Sequence, residues 1–116
     1  MSVTLYGIPN CDTVKKARNW LNTNQPDYQF HDFRKDGLSE ADLTAWCDAL
    51  GWEQVLNKRS TSWRALDDAD KTDLDQAKAI RLMLASPTLV KRPVLAKDGV
   101  FKTGFKDADY QAFFGL

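Results

Sequence analysis

The residue best suited to covalent chemistry is Cys11, in the stretch Tyr6-Gly7-Ile8-Pro9-Asn10-Cys11-Asp12-Thr13-Val14-Lys15-Lys16. The alternating run from Val3 to Tyr6 ahead of it reads as a short strand. Gly7 and Pro9 force a turn. A helical pattern follows from about Asp12 to Leu21. Cys11 therefore falls at the start of a helix, where backbone N–H groups lack intrahelical partners and aligned peptide dipoles add partial positive charge. Such a position stabilises a thiolate, and the thiolate is the nucleophile. The Asp12 charge beside the sulfur works against this, and Lys15 and Lys16, one turn on, partly offset it. A cysteine that packs inward is the competing reading, because free cysteines are among the most buried residues. The local sequence leaves both open.

Other reactive side chains are few. Cys47 shares an i, i+3, i+4, i+7 stripe with Leu43, Trp46 and Leu50, which reads as a core face. His31 lies in a strand pattern with nothing in its spacing to bring it to the thiol. Two cysteines at 11 and 47 make neither a zinc pattern nor a disulfide framework, and a single histidine speaks against a metal site. Lys plus Arg and Asp plus Glu each number 16, for zero net charge. That balance disfavours direct nucleic-acid binding. No apolar run reaches the length of a membrane span, and the N-terminus lacks the charged and apolar regions of a secretory signal. The expectation is one soluble cytoplasmic domain spanning 1–116, with reduced cysteines.

These side chains need elements to hold them. Tyr28 to Phe33 reads as a second strand after a stop at Pro26, which makes a parallel βαβ unit. Arg34-Lys35-Asp36-Gly37 is a turn. Ser39 is placed to cap a helix that Gly51 ends. Val55 to Ser62 is a basic, hydroxyl-rich loop containing Arg59, with a short helix expected from about Trp63 to Leu66. A further helix is expected to start at Thr72 or Asp73, with Leu74, Ala77, Ile80 and Leu84, and Met83 and Leu82 nearby, as a broad stripe and Ser86-Pro87 as its stop. The block from about 38 to 86 thus reads as wholly helical. Pro93 opens a strand, Asp98-Gly99 is a hairpin signal, and Val100 to Thr103 is the partner strand. A last helix runs from about Lys106 to Phe113. The order β-α-β, helical block, β-β-α predicts an α/β thioredoxin-like fold with a mixed sheet. In that plan the Cys11 loop and the start of the last hairpin meet at one sheet end.

Taken together, Leu5 to Ala17, Asn57-Lys58-Arg59, Asp75-Gln76-Ala77, Lys91-Arg92-Pro93-Val94 and Gly104-Phe105 resemble the ArsC arsenate reductase family, in particular its YffB branch, with the Spx regulators as relatives. The resemblance covers nearly the whole chain. It implies that Cys11 is the nucleophilic thiolate, that Arg59 and Arg92 match two arginines that hold an oxyanion, and that Pro93 corresponds to the cis-proline of thioredoxin-like folds. That loop presents free backbone groups to a bound peptide or glutathione. Guanidinium forks suit tetrahedral oxyanions and carboxylates, because they donate paired hydrogen bonds in a fixed geometry. Arsenate reductases of this type use a third arginine after the hairpin, where this chain has Lys102-Thr103-Gly104-Phe105-Lys106. Redox-active Spx proteins carry Cys-x-x-Cys, where this chain has Val14.

The resemblance therefore implies a monothiol reductase acting on an oxyanion or a disulfide, resolved by an external thiol. Glutathione is the expected co-substrate, with glutathione or glutaredoxin as partner and no tightly bound cofactor. Asn10 and the backbone N–H groups near Thr13 steady the thiolate, and Arg59 and Arg92 hold the negative charges. The alternative is a non-catalytic Spx-like regulator or protein-binding module that contacts RNA polymerase, with Trp52 and Trp63 flanking the Arg59 loop.

Overall fold

The computed structural model describes residues 3–115. The chain divides into two compact units, one formed by the residues up to Asp36 together with those from Arg92 onward, the other by Gly37–Lys91.

The first unit holds the sheet. Its elements are β1 (Val3–Gly7), α1 (Asp12–Asn24), β2 (Tyr28–Asp32), β3 (Val94–Lys97), β4 (Val100–Thr103) and α7 (Asp107–Phe113). The strand order is β2-β1-β3-β4. β1 and β2 are parallel, with Leu5 beside Phe30. β3 runs antiparallel to β1, with Leu95 beside Leu5, and pairs antiparallel with β4. This is the thioredoxin-like plan with its mixed sheet. The alternation of β1 sends Val3 and Leu5 to one face. There they meet Ala17, Trp20 and Leu21 of α1, Leu95 of β3 and Tyr110 of α7 in one buried cluster. Trp20 and Tyr110 pack edge to face, with centroids 5.4 Å apart. Full burial of a leucine such as Leu21 or Leu95 stabilises by about 1.5–3 kcal/mol.

Local chemistry explains most of the element ends. α1 outruns its expected end at Leu21 by three residues. The Gln25 N–H donates to the Leu21 carbonyl at 2.7 Å, and Thr23 Oγ1 and Asn24 Nδ2 add second donors to the Asn19 and Trp20 carbonyls of the last turns. Pro26 then stops the chain from continuing helically. The hairpin turn has Asp98 at φ 50° and Gly99 at φ 82°, the two left-handed residues of a tight two-residue turn. Gly7 serves a different need. A Cβ there would stand 2.8 Å from Val14 Cγ2, so only glycine lets α1 lie this close to the end of β1.

The second unit is helical, as expected: α2 (Glu40–Leu50), α3 (Trp52–Val55), α4 (Thr61–Arg64), α5 (Asp68–Lys71), α6 (Gln76–Ala85) and a 3₁₀ turn (Pro87–Leu89). Ser39 caps α2 by accepting from the Asp42 N–H at 3.1 Å. Leu43, Trp46 and Cys47 are its buried face, as the stripe predicts. Two expectations need correction, and two short helices were not expected. The short helix starts at Thr61, not Trp63, because Ser60 Oγ accepts from the Trp63 N–H. α3 and α5 are single turns, too short for periodicity to register. α6 starts at Gln76, not at Thr72 or Asp73. Asp73 adopts φ 53°, which interrupts a helix, and Asp75 caps by accepting from the Lys78 N–H at 2.8 Å. Its buried residues are Ala79, Ile80 and Met83, of which Ile80 and Met83 belong to the expected stripe; Leu74 lies outside the helix and Ala77 is exposed.

Candidate functional site

The loop that carries Cys11 is a short turn anchored at both ends. Ile8 is buried, and its carbonyl accepts from the Cys11 N–H at 3.2 Å across Pro9 and Asn10. Pro9 sits at the second turn position, where its fixed φ is favourable. The Cys11 carbonyl then accepts from the Lys15 N–H at 2.9 Å, the first bond of α1. Cys11 is thus the N-cap residue, with extended backbone (φ −86°, ψ 127°), and its side chain makes no capping hydrogen bond. The first-turn N–H groups of Asp12, Thr13 and Val14 have no intrahelical acceptor in such a geometry. An ordinary cap is a residue whose side-chain oxygen accepts from these N–H groups; the residue at this position is a cysteine. Cys11 and Thr13 are half-buried, Asn10 is exposed, and Cys11 is a free thiol.

Strand pairing brings a second segment to the same place. Tyr6, near the end of β1, is paired with Val94, the first residue of β3. The chain entering β3 through Arg92-Pro93 therefore lies at the sheet end from which the Cys11 loop departs. The Arg92–Pro93 peptide is cis, as the resemblance implies. Pro93 is buried, and its carbonyl accepts from the Gly104 N–H at 2.9 Å, so that carbonyl is not among the backbone groups free for a ligand. Arg92 is half-buried. Its Nε is shielded from solvent without a hydrogen-bond partner, which is rare for a buried donor.

Arg59 belongs to the second unit. It is exposed, in a turn where its N–H donates to Asn57 Oδ1 at 3.0 Å. The Asn57 N–H in turn donates to the Leu89 carbonyl and the Lys91 N–H to that of Val55. A cavity of about 340 Å³ at this point is lined by Asn57, Lys58, Arg59 and Lys91, with Glu53 and Gln54 opposite in chemistry. The Lys58 ammonium lies 5.5 Å from the Trp52 ring and 5.8 Å from that of Trp63, so both tryptophans are half-exposed platforms and not core.

The remaining candidates have structural roles. Cys47 is 2% exposed; burial, and then the neighbouring Asp48 carboxylate, push its thiol upward. His31 packs against Tyr6 at 4.9 Å between centroids. Lys102, at the place of the third arginine, pairs with Asp109 at 3.6 Å, and Lys106 is the N-cap residue of α7. Among the described residues no group of histidine, cysteine and carboxylate side chains forms a metal site, and no helix is long and apolar enough to cross a membrane. The sequence reading overlooked Arg18, whose guanidinium stacks 4.2 Å over the Phe30 ring. Its signal was its position two turns along α1 from Cys11.

The family model for the ArsC family matches residues 6–113. The chain belongs to the ArsC family. A solved YffB protein is 50% identical, with a TM-score of 0.92 over 96% of this chain and 97% of its own. An arsenate reductase (ArsC) related protein from Brucella melitensis is also 50% identical, with a TM-score of 0.77 over 100% and 97% of the two chains. The global transcriptional regulator Spx of Streptococcus mutans is 30% identical over 96% of this chain and 82% of its own. Family membership thus points to a thiol-dependent reductase or an Spx-like regulator.

Proposed function

We propose that the protein is a reductase in which Cys11 is the nucleophile and glutathione the co-substrate. The observation that carries this reading is the sulfur at an otherwise uncapped helix start, at the sheet end that also bears Arg92 with its unpartnered Nε. A structural cysteine needs neither feature. The ArsC relatives support the same chemistry.

With a disulfide substrate, the Cys11 thiolate forms a bond to one sulfur and the other half leaves as a thiolate. A glutathione thiolate then attacks the substrate-derived sulfur, releasing Cys11 and a mixed disulfide of substrate and glutathione. With an oxyanion substrate, Cys11 displaces one oxygen as water. Glutathione attacks the Cys11 sulfur of the adduct, which leaves two electrons on the central atom and a Cys11–glutathione disulfide. A second glutathione, or a glutaredoxin, removes that glutathione and restores the thiol. The first-turn N–H groups around Thr13, together with Asn10, steady the sulfur as it gains and loses charge. Arg92 holds the oxyanion or a glutathione carboxylate as a fork donor, and Pro93 borders the glutathione. The resemblance extends the charge-holding role to Arg59. Lys102 faces Asp109 at 3.6 Å, and an ammonium is not a bidentate fork, so a disulfide is the favoured substrate over arsenate.

The test is turnover of a disulfide, and of arsenate, with glutathione. Cys11→Ser abolishes turnover and Cys47→Ser retains it. Equal loss in the two variants overturns the assignment. The second reading, a regulator that contacts RNA polymerase, draws on the Spx relative and on the Trp52–Lys58–Trp63 platform. Recovery of polymerase from lysate by both wild type and Cys11→Ala, without any turnover, favours it.

A further inference from the structure

The cations of α1 sit away from the end of the helix that favours them. Cations stabilise the C-terminal turn and destabilise the N-terminal one. α1 has no basic residue in its last turn and carries Asp12 in its first; Lys15 and Lys16 lie in its N-terminal half and Arg18 at its midpoint. None of the three makes an ion pair among the described residues. A local rule broken in this way, beside a candidate nucleophile, points to function.

The arrangement is also directional. At about 100° and 1.5 Å per residue, Lys15, Arg18, Asn19 and Asn22 fall within about 100° of Cys11 around α1 and extend to roughly 16 Å from it along the axis. The same four residues line a shallow cavity of about 270 Å³. Val14, Ala17, Trp20 and Leu21 face the core, so this stripe is the outer side. The Arg18 guanidinium carbon lies over the Phe30 ring, 4.2 Å from its centroid, a contact that leaves its N–H groups free to donate. Asn19 and Asn22 add amide donors and acceptors beyond the cations.

We infer that this stripe is the substrate subsite of Cys11, and that the substrate is an extended, carboxylate-bearing disulfide lying along α1. Its reacting sulfur meets Cys11, its carboxylate is held by Lys15 and Arg18, and its distal polar groups reach Asn19 and Asn22. The inference rests on Cys11 being the nucleophile. In the first step the Cys11 sulfur bonds to the near sulfur of the substrate. The substrate S–S bond breaks, and the far half departs with the electron pair and takes a proton from water.

Two probes of matched length separate charge from reach: dithiodihexanoate, with a carboxylate on each arm, and bis(hydroxyhexyl) disulfide, which is neutral. Formation of the Cys11 mixed disulfide is followed by intact-protein mass spectrometry under single-turnover conditions. A contact ion pair in water is worth about 1 kcal/mol, roughly fivefold in rate. Wild type therefore prefers the acid over the alcohol by at least about fivefold at low salt, and the preference collapses near 1 M salt, where screening is over about 3 Å. The double variant Lys15→Gln/Arg18→Gln loses the preference. Lys97→Gln, beside Val3 at the sheet end opposite the Cys11 loop, keeps it. Equal rates for both probes in wild type, or an unchanged ratio in the double variant, overturn the subsite while leaving Cys11 as nucleophile. Failure of Cys11 to react with either probe overturns the nucleophile and the subsite together.

Discussion

Replacing Gly7 with alanine tests how closely the helix of Cys11 is held against the sheet. The new methyl group would stand 2.8 Å from Val14 Cγ2 and 3.3 Å from Cγ1, against about 3.5–4.0 Å for an ordinary carbon contact. Val14 is fully buried, and a β-branched residue in a helix has one strongly preferred rotamer, so it cannot turn aside. Relief has to come from moving α1, which opens the packing of Ala17 and Leu21. Overpacking of this kind costs about 1–3 kcal/mol. Alanine also stiffens the unfolded chain, which returns about 0.4–1 kcal/mol. The net expectation is a loss of about 1–2 kcal/mol, or roughly 0.5–1 M in urea midpoint for a slope of about 2 kcal/mol/M.

The decisive comparison is the Val14→Ala background. Val14→Ala alone removes two buried methyls and costs about 2–3 kcal/mol. The nearest remaining atom to the new methyl is then the side-chain Cβ, 3.7 Å away, an ordinary contact. In that background Gly7→Ala fills space and stabilises. The effect of Gly7→Ala thus changes sign, with a coupling of about 2–3 kcal/mol in a double-mutant cycle. Urea titration read by circular dichroism measures all four proteins. If Gly7→Ala is equally destabilising in both backgrounds, the steric argument is wrong.

Other outcomes follow from burial and capping. Iodoacetamide labels Cys11 in the native protein at least about a hundredfold faster than Cys47, because Cys47 is 2% exposed and reacts only when the fold opens; comparable native rates refute this, and denaturant removes the difference. Stability falls as pH rises past the unfolded thiol value of about 8.5 and falls further past the unfolded phenol value of about 10. Burial raises Cys47 and Tyr110 in the folded state, so the unfolded chain releases protons first. The slope reaches at most about 1.4 kcal/mol per pH unit for each group. Cys47→Ala removes the first part of the decline, and a flat profile between pH about 8 and 11 contradicts the assignment. Ser39→Ala and Asp75→Ala each cost about 1 kcal/mol, because each removes an oxygen that accepts a first-turn N–H; a change below about 0.3 kcal/mol means the cap is replaced by water.

The sequence by itself determined whatever depends on neighbours along the chain. Gly7 and Pro9 between a strand pattern and a helix pattern place Cys11 at a helix start. Ser39 followed by a periodic apolar stripe specifies α2 and buries Cys47. Asp98-Gly99 specifies a turn whose residues both take positive φ. These are interactions over two to seven residues, and composition carries them. Residue pattern also carried the thioredoxin-like order of elements.

The tertiary structure decided what depends on residues far apart. Asp73 and Asp75 are alike as caps in sequence; only the fold's choice of a left-handed Asp73 gives the role to Asp75 and starts the helix at Gln76. Nothing local says that β3 lies between β1 and β4. That pairing, Tyr6 beside Val94, carries Arg92 and Pro93 to the sheet end of the Cys11 loop. Gly7 reads locally as a turn residue, yet its requirement comes from Val14 packed against it. Likewise Arg18 is one more surface cation until the parallel pairing of β1 and β2 sets Phe30 beneath it. Sheet register and helix packing are set by the simultaneous burial of apolar faces distant in sequence, and no window along the chain contains that information.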